Sequence, residues 1–102
     1  MRLCTLADVP DGGVLELPGG RIAWRRGDEL RVFVNLCPHF HLALNYEPGE
    51  FKLHGDLIAC AHHYSYFRFA DGLCVEGQCV GEPLEAVPTR IANGVVYLAR
   101  RS

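Results

Sequence analysis

Two short stretches hold the residues most able to do chemistry: Cys37-Pro38-His39 and Cys60-Ala61-His62-His63. Each sets a thiolate and an imidazole within one turn of backbone, and 22 residues lie between the two cysteines. Two such corners facing each other present two sulfurs and two nitrogens to one metal centre. On a [2Fe–2S] core, replacing two thiolates on one iron with neutral imidazoles removes two negative charges. An added electron then meets less repulsion. The potential rises to roughly −150 to +300 mV, from about −400 mV for the four-cysteine type. The same donor set also suits tetrahedral zinc, which stays open as the alternative. Structural zinc sites usually draw one ligand pair from a helix, and no window here sustains an amphipathic helical period.

The elements that must position these corners read as strands. Leu3–Leu6 is a short edge strand, and Val9-Pro10-Asp11-Gly12-Gly13 is a turn. Val14–Leu17 and Arg21–Arg25 flank the hairpin turn Pro18-Gly19-Gly20, with Ile22 and Trp24 on one face. Leu30–Leu36 is the strongest strand and delivers the chain into Cys37; Leu57–Ala59 delivers it into Cys60. Between them, Phe40–Asp56 is the least regular stretch, and His54 before Gly55-Asp56 reads as a turn residue. Tyr64–Phe69 reads as a strand ended by Asp71-Gly72. Residues 76–83 read as a turn-rich connection. Arg90–Ala92 and Val95–Leu98 flank Asn93-Gly94, a strong two-residue hairpin signal. Strands at short, regular spacing give an all-β domain of small stacked sheets.

The 102 residues fit one domain, and 49% hydrophobic content allows a modest core. Six prolines and eleven glycines agree with many turns. A net charge of −2 with no Lys/Arg block argues against nucleic acid as a partner. The longest apolar runs are far too short to span a bilayer, and the first residues lack a signal-peptide pattern. A cytoplasmic, membrane-free protein is the expectation. Five cysteines cannot all pair within the chain. In a reducing compartment, cysteines beside histidines serve as ligands more often than as disulfides. Cys4 reads as a small buried residue in a strand. Cys74 and Cys79 read as small residues of a turn-rich loop, with a hairpin disulfide or a second metal half-site as alternatives.

The pattern C-x-H, a gap, then C-x-x-H resembles the Rieske family. The likeness extends to Leu44, Phe67 and Asp71-Gly72. It also takes in the opening Ala7-Asp8-Val9-Pro10-Asp11-Gly12 and the closing run from Pro88 to Tyr97. It covers essentially the whole chain. The resemblance implies a Rieske-like fold of small antiparallel sheets. A cluster-binding cap of about 36–74 stands there on a base of about 1–35 and 75–102. It implies Cys37 and Cys60 as ligands to one iron and His39 and His63 as ligands to the other. Family members usually carry Gly where His41 and Tyr64 stand here. The second cysteine pair of cytochrome bc-type members is replaced by Leu42 and His62. The chain is therefore more similar to the soluble Rieske ferredoxins that serve oxygenases. Ser65 lies where high-potential members have a hydroxyl donor to a bridging sulfide, and Phe67 replaces their tyrosine donor to a cysteine sulfur. Donors to sulfur stabilise the reduced cluster. A potential between the soluble and the bc types is the expectation.

The function implied is that of a one-electron carrier with no catalytic activity of its own. It takes electrons from a flavin-dependent reductase and passes them to a terminal oxygenase. The chain is too short to hold a mononuclear iron catalytic domain as well, and no nucleophile–base constellation suggests another enzyme. A structural zinc interaction domain and a small Rieske subunit of a larger oxidoreductase are the alternatives. His41 and His62 read as solvated loop residues. Trp24, Tyr64, Tyr66, Phe67 and Phe69 read as core packing and shielding.

Overall fold

The structure is a computed structural model that describes residues 1–38, 42–45, 47, 49–61 and 65–99. Among these, eleven strands build three antiparallel sheets. The first sheet joins β1 (Arg2–Thr5), β11 (Val95–Leu98) and β10 (Thr89–Ala92), in that order. The second runs β2 (Val14–Leu17), β3 (Arg21–Arg26), β4 (Glu29–Val34) and β9 (Ala86–Val87). The third runs β5 (Lys52–His54), β6 (Leu57–Ala59), β7 (Ser65–Arg68) and β8 (Cys74–Gly77). A 3-10 turn, Leu6–Asp8, is closed by reciprocal bonds between Thr5 and Asp8. The fold is all-β, as the strand spacing predicts.

The second sheet is the middle layer, and the two-residue period of its strands explains how. Ile22, Trp24 and Phe33 enter one core with Ile58, Phe67 and Phe69 from the third sheet and its edge turn. Ala23, Leu30 and Val32 point the other way, into a core shared with Cys4 and Val96 of the first sheet. Ala23 is as fully buried as its neighbours, so β3 is covered on both faces. The alternation of β3 predicts one apolar face; the first sheet covers the other.

The turns follow their residues. Asn93 and Gly94 both adopt left-handed φ, 52° and 76°, as the hairpin between β10 and β11 requires. Three short strands, β5, β8 and the two-residue β9, escape the sequence pattern. β5 lies within the irregular stretch, so His54 ends a strand and sets its ring edge-on to Tyr66 at 5.6 Å. β8 takes up part of the turn-rich connection. β5 and β8 are half-exposed and short, and they are held by pairing with β6 and β7 rather than by their own composition. Trp24 meets Phe69 edge to face at 5.2 Å, which ties the middle sheet to the turn that follows β7. No helix among the described residues is long and apolar enough to cross a membrane.

Candidate metal centre

β4 carries the chain to the first corner and is fixed where it ends. Val34 N donates to Glu85 O at 2.9 Å, and Asn35 N donates to Gly20 O at 2.8 Å. Two residues later Cys37 N donates to Leu42 O at 2.7 Å and closes the corner into a loop. β6 delivers the second corner directly. Cys60 N donates to Ser65 O at 3.0 Å. In both loops the cysteine N–H reaches the carbonyl of the fifth residue on, so the two corners share one backbone construction. Ala61 N donates to Leu44 O at 2.7 Å and ties one corner to the other.

Cys37 and Cys60 lie in the same apolar cluster, 0% and 5% exposed. His39 falls in sequence inside the first closed loop, and His62 and His63 inside the second. All three lie outside the described residues, as do His41 and Tyr64. Among the described residues, no group of three or more His, Cys, Asp or Glu side chains is set to hold a metal. The structure thus brings the two sulfur corners together and leaves the imidazole half of the set as a reading of the sequence.

Ser65 begins β7 directly after the second corner. Its side chain is 1% exposed, and its Oγ finds no hydrogen-bond partner among the described residues. A buried hydroxyl left without a partner costs about 1–3 kcal/mol. An acceptor bound between the corners would supply what is missing. Two buried thiols and an orphaned donor fit a sulfide-containing centre. A zinc-bound thiolate would accept the same hydrogen, so the orphaned hydroxyl points to a centre between the corners without choosing its metal.

Two residues that the sequence reading did not single out hold the first corner in place. Asn35 Oδ1 accepts from Leu44 N at 3.0 Å, and Asn35 Nδ2 donates to Asn45 Oδ1 at 3.0 Å. The backbone donor at Leu44 settles which way the Asn35 amide points. Asn45 Nδ2 in turn donates to Glu47 O at 2.7 Å and Glu16 Oε2 at 3.3 Å, on β2. Both amides are buried. The chain therefore brackets its first corner with two asparagines that lock to each other and to the middle sheet. The available signal was an Asn on each side of the Cys/His stretch.

The remaining cysteines separate by environment. Burial pushes the Cys4 thiol up, with the Asp8 charge adding to it, which keeps Cys4 protonated in the far core. Cys74 donates its thiol to Glu76 O at 3.3 Å. Cys79 sits 3.4 Å, sulfur to sulfur, from Cys37. That is well beyond a disulfide bond of about 2.05 Å. The loop reading of Cys74 and Cys79 is corrected on two points: Cys74 lies on β8, and both side chains are buried, Cys79 against Cys37.

Solved structures of similar fold include ferredoxins and a complex of a ferredoxin with an oxygenase. The ferredoxin of Sphingomonas yanoikuyae B1 superposes with a TM-score of 0.80 at 26% identity, over 99% of this chain and 98% of that one. A ferredoxin of carbazole 1,9a-dioxygenase from Nocardioides aromaticivorans IC177 gives 0.76 at 23% identity, over 99% and 97%. A complex of reduced oxygenase and oxidized ferredoxin in carbazole 1,9a-dioxygenase gives 0.75 at 25%, over 97% and 91%. No curated relative matches the sequence. Residues 1–91 match the model of the Rieske [2Fe–2S] domain, and with nine-tenths of its length so accounted for the chain belongs to that family.

Proposed function

We propose that this chain is a one-electron carrier whose [2Fe–2S] cluster is held by Cys37 and Cys60 on one iron and His39 and His63 on the other. The observation that carries the reading is the pair of identically closed corners, each starting at a buried cysteine and tied together through Ala61 and Leu44. When bound, the cluster supplies a site that takes up and releases one electron. The residues around it do the rest. The apolar cluster of Ile58, Phe67 and Leu44 keeps water from the sulfurs. With the cluster bound, Ser65 would offer it a hydroxyl, which would favour the reduced form and set the potential above that of a typical soluble Rieske ferredoxin. The cap of about 36–74 carries the corners, and the base of about 1–35 and 75–102 supports them.

Exposed apolar side chains flank the first corner. Leu36 and Leu42 stand on either side of it, 42% and 43% exposed. They suit brief docking of a redox partner close to the electron. A complex of ferredoxin with oxygenase exists for a protein of this fold at 25% identity, which supports a terminal oxygenase as the acceptor. A flavin-dependent reductase is the matching donor, and the cytoplasm is the compartment in which both would meet it.

The test is anaerobic purification followed by iron and sulfide analysis and electron paramagnetic resonance of the dithionite-reduced protein. Two irons, two sulfides and a lower average g value than a four-cysteine centre are expected. One zinc per chain, no sulfide and no colour would replace the proposal with a structural zinc domain.

A further inference from the structure

We infer that Cys79 tunes the centre by donating its thiol hydrogen to the sulfur of Cys37. The inference rests on the proposed role of Cys37 as a cluster ligand. Cys79 belongs to neither corner; it arrives on a third loop, 42 residues beyond Cys37. That loop is pinned across its width. Cys74 N donates to Glu82 O at 3.0 Å, Gly81 N to Cys74 O at 3.0 Å, and Glu82 N to Cys79 O at 2.9 Å. Left-handed glycines at each end, Gly77 (φ 102°) and Gly81 (φ 92°), let the chain double back. The result is a reversal of direction within one residue. Val80 is 60% exposed, while Cys79 beside it is 1% exposed and points into the core that holds Cys37.

The two sulfurs lie 3.4 Å apart, within hydrogen-bonding reach, and between two thiols either could be the donor. Metal binding removes that ambiguity. A cysteine that ligates iron does so as a thiolate, which can only accept. The hydrogen must then belong to Cys79. Cys74, the other cysteine of this segment, already donates to Glu76 O within its own strand. A donor to a ligand sulfur stabilises the more negative, reduced centre and raises its potential. Phe67, on β7 in the same core, has no hydrogen to give. Cys79 supplies one from a different part of the fold.

The experiment compares wild-type holoprotein with Cys79→Val, which keeps the bulk and removes the donor, and Cys79→Ser, which keeps a donor. Each is checked for two irons and two sulfides before protein-film voltammetry. The expected result is a lower midpoint potential for Cys79→Val and a potential near wild type for Cys79→Ser. A fully loaded Cys79→Val at the wild-type potential would overturn the inference. Resonance Raman spectra of the wild type in H2O and D2O give a second reading that needs no variant. A deuterium-sensitive iron–cysteine stretch supports the donor, and its absence in a loaded protein defeats it. A wild type without iron or sulfide would instead defeat the ligand assignment on which the inference stands.

Discussion

Replacing Gly72 with alanine tests whether the close contact between the middle and third sheets is what holds this domain together. Gly72 follows β7 with φ 75°, and its N–H donates to Arg68 O while its carbonyl accepts from Leu84 N. A Cβ built there would lie 2.7 Å from Phe33 Cε1, 3.1 Å from Phe33 Cδ1 and 3.2 Å from Leu84 Cβ. Phe33 is 1% exposed, so its ring has nowhere to swing. The left-handed backbone costs a non-glycine residue about 1–2 kcal/mol. Overfilling a packed core adds about 1–3 kcal/mol. The sum, about 2–5 kcal/mol, is a large share of the stability of a small domain. Gly94→Ala is the control. Gly94 has a similar φ of 76° and open space where its Cβ would go, so it carries the backbone cost alone. Any gain from a stiffer unfolded chain is common to both and cancels. Apparent melting temperatures at one fixed scan rate should therefore fall further for Gly72→Ala, by about 4–8 °C for each kcal/mol of difference. The visible absorbance of the centre should bleach earlier too, because the 71–72 turn hands the chain to the loop that bears Cys79. Adding Phe33→Leu should recover part of the loss in Gly72→Ala, a coupling read from the double-mutant cycle. Equal melting of the two alanine variants, with no coupling to Phe33, would refute the packing argument.

Ser65→Ala should lower the midpoint potential, by about 40 mV for each 1 kcal/mol that the lost hydrogen bond strengthens on reduction; voltammetry at an unchanged potential removes Ser65 from the account. Asn35→Leu orphans Leu44 N–H and Asn45 Oδ1 and should cost about 2–6 kcal/mol. Chelator-driven cluster loss, timed by visible absorbance, should be faster, and an unaltered rate would mean that the asparagine pair does not hold the corner. Asp71 is held at about 2, first by the Arg68 guanidinium hydrogen-bonded to it and then by Leu73 N–H. Its folded value lies below the ordinary carboxylate value of 3.8, so its contribution is whole above that pH and is lost as pH falls through 2. The gap in denaturant midpoint between wild type and Asp71→Asn should narrow over that window; a constant gap would show that the pair does not stabilise the fold.

The local rules of the chain reach as far as its turns and its corners. Asn93-Gly94 specifies a hairpin because few residues tolerate left-handed φ, and that constraint is written in two adjacent letters. The alternation in Arg21–Arg26 and Glu29–Val34 announces strands for the same reason: side chains two apart share a face whatever lies opposite. The proposed ligands Cys37, His39, Cys60 and His63 were legible as candidates because few residue types bind metal at all. β5, β8 and β9 were invisible, since two to four residues become a strand only when β6, β7 and β4 offer them an edge. The burial of both faces of β3, the Asn35–Asn45 lock on Glu16 and the approach of Cys79 to Cys37 were decided by the stacking of three sheets. Those contacts join residues ten to forty-two positions apart. No run of neighbouring letters encodes such a distance; only the closing of the chain upon itself does.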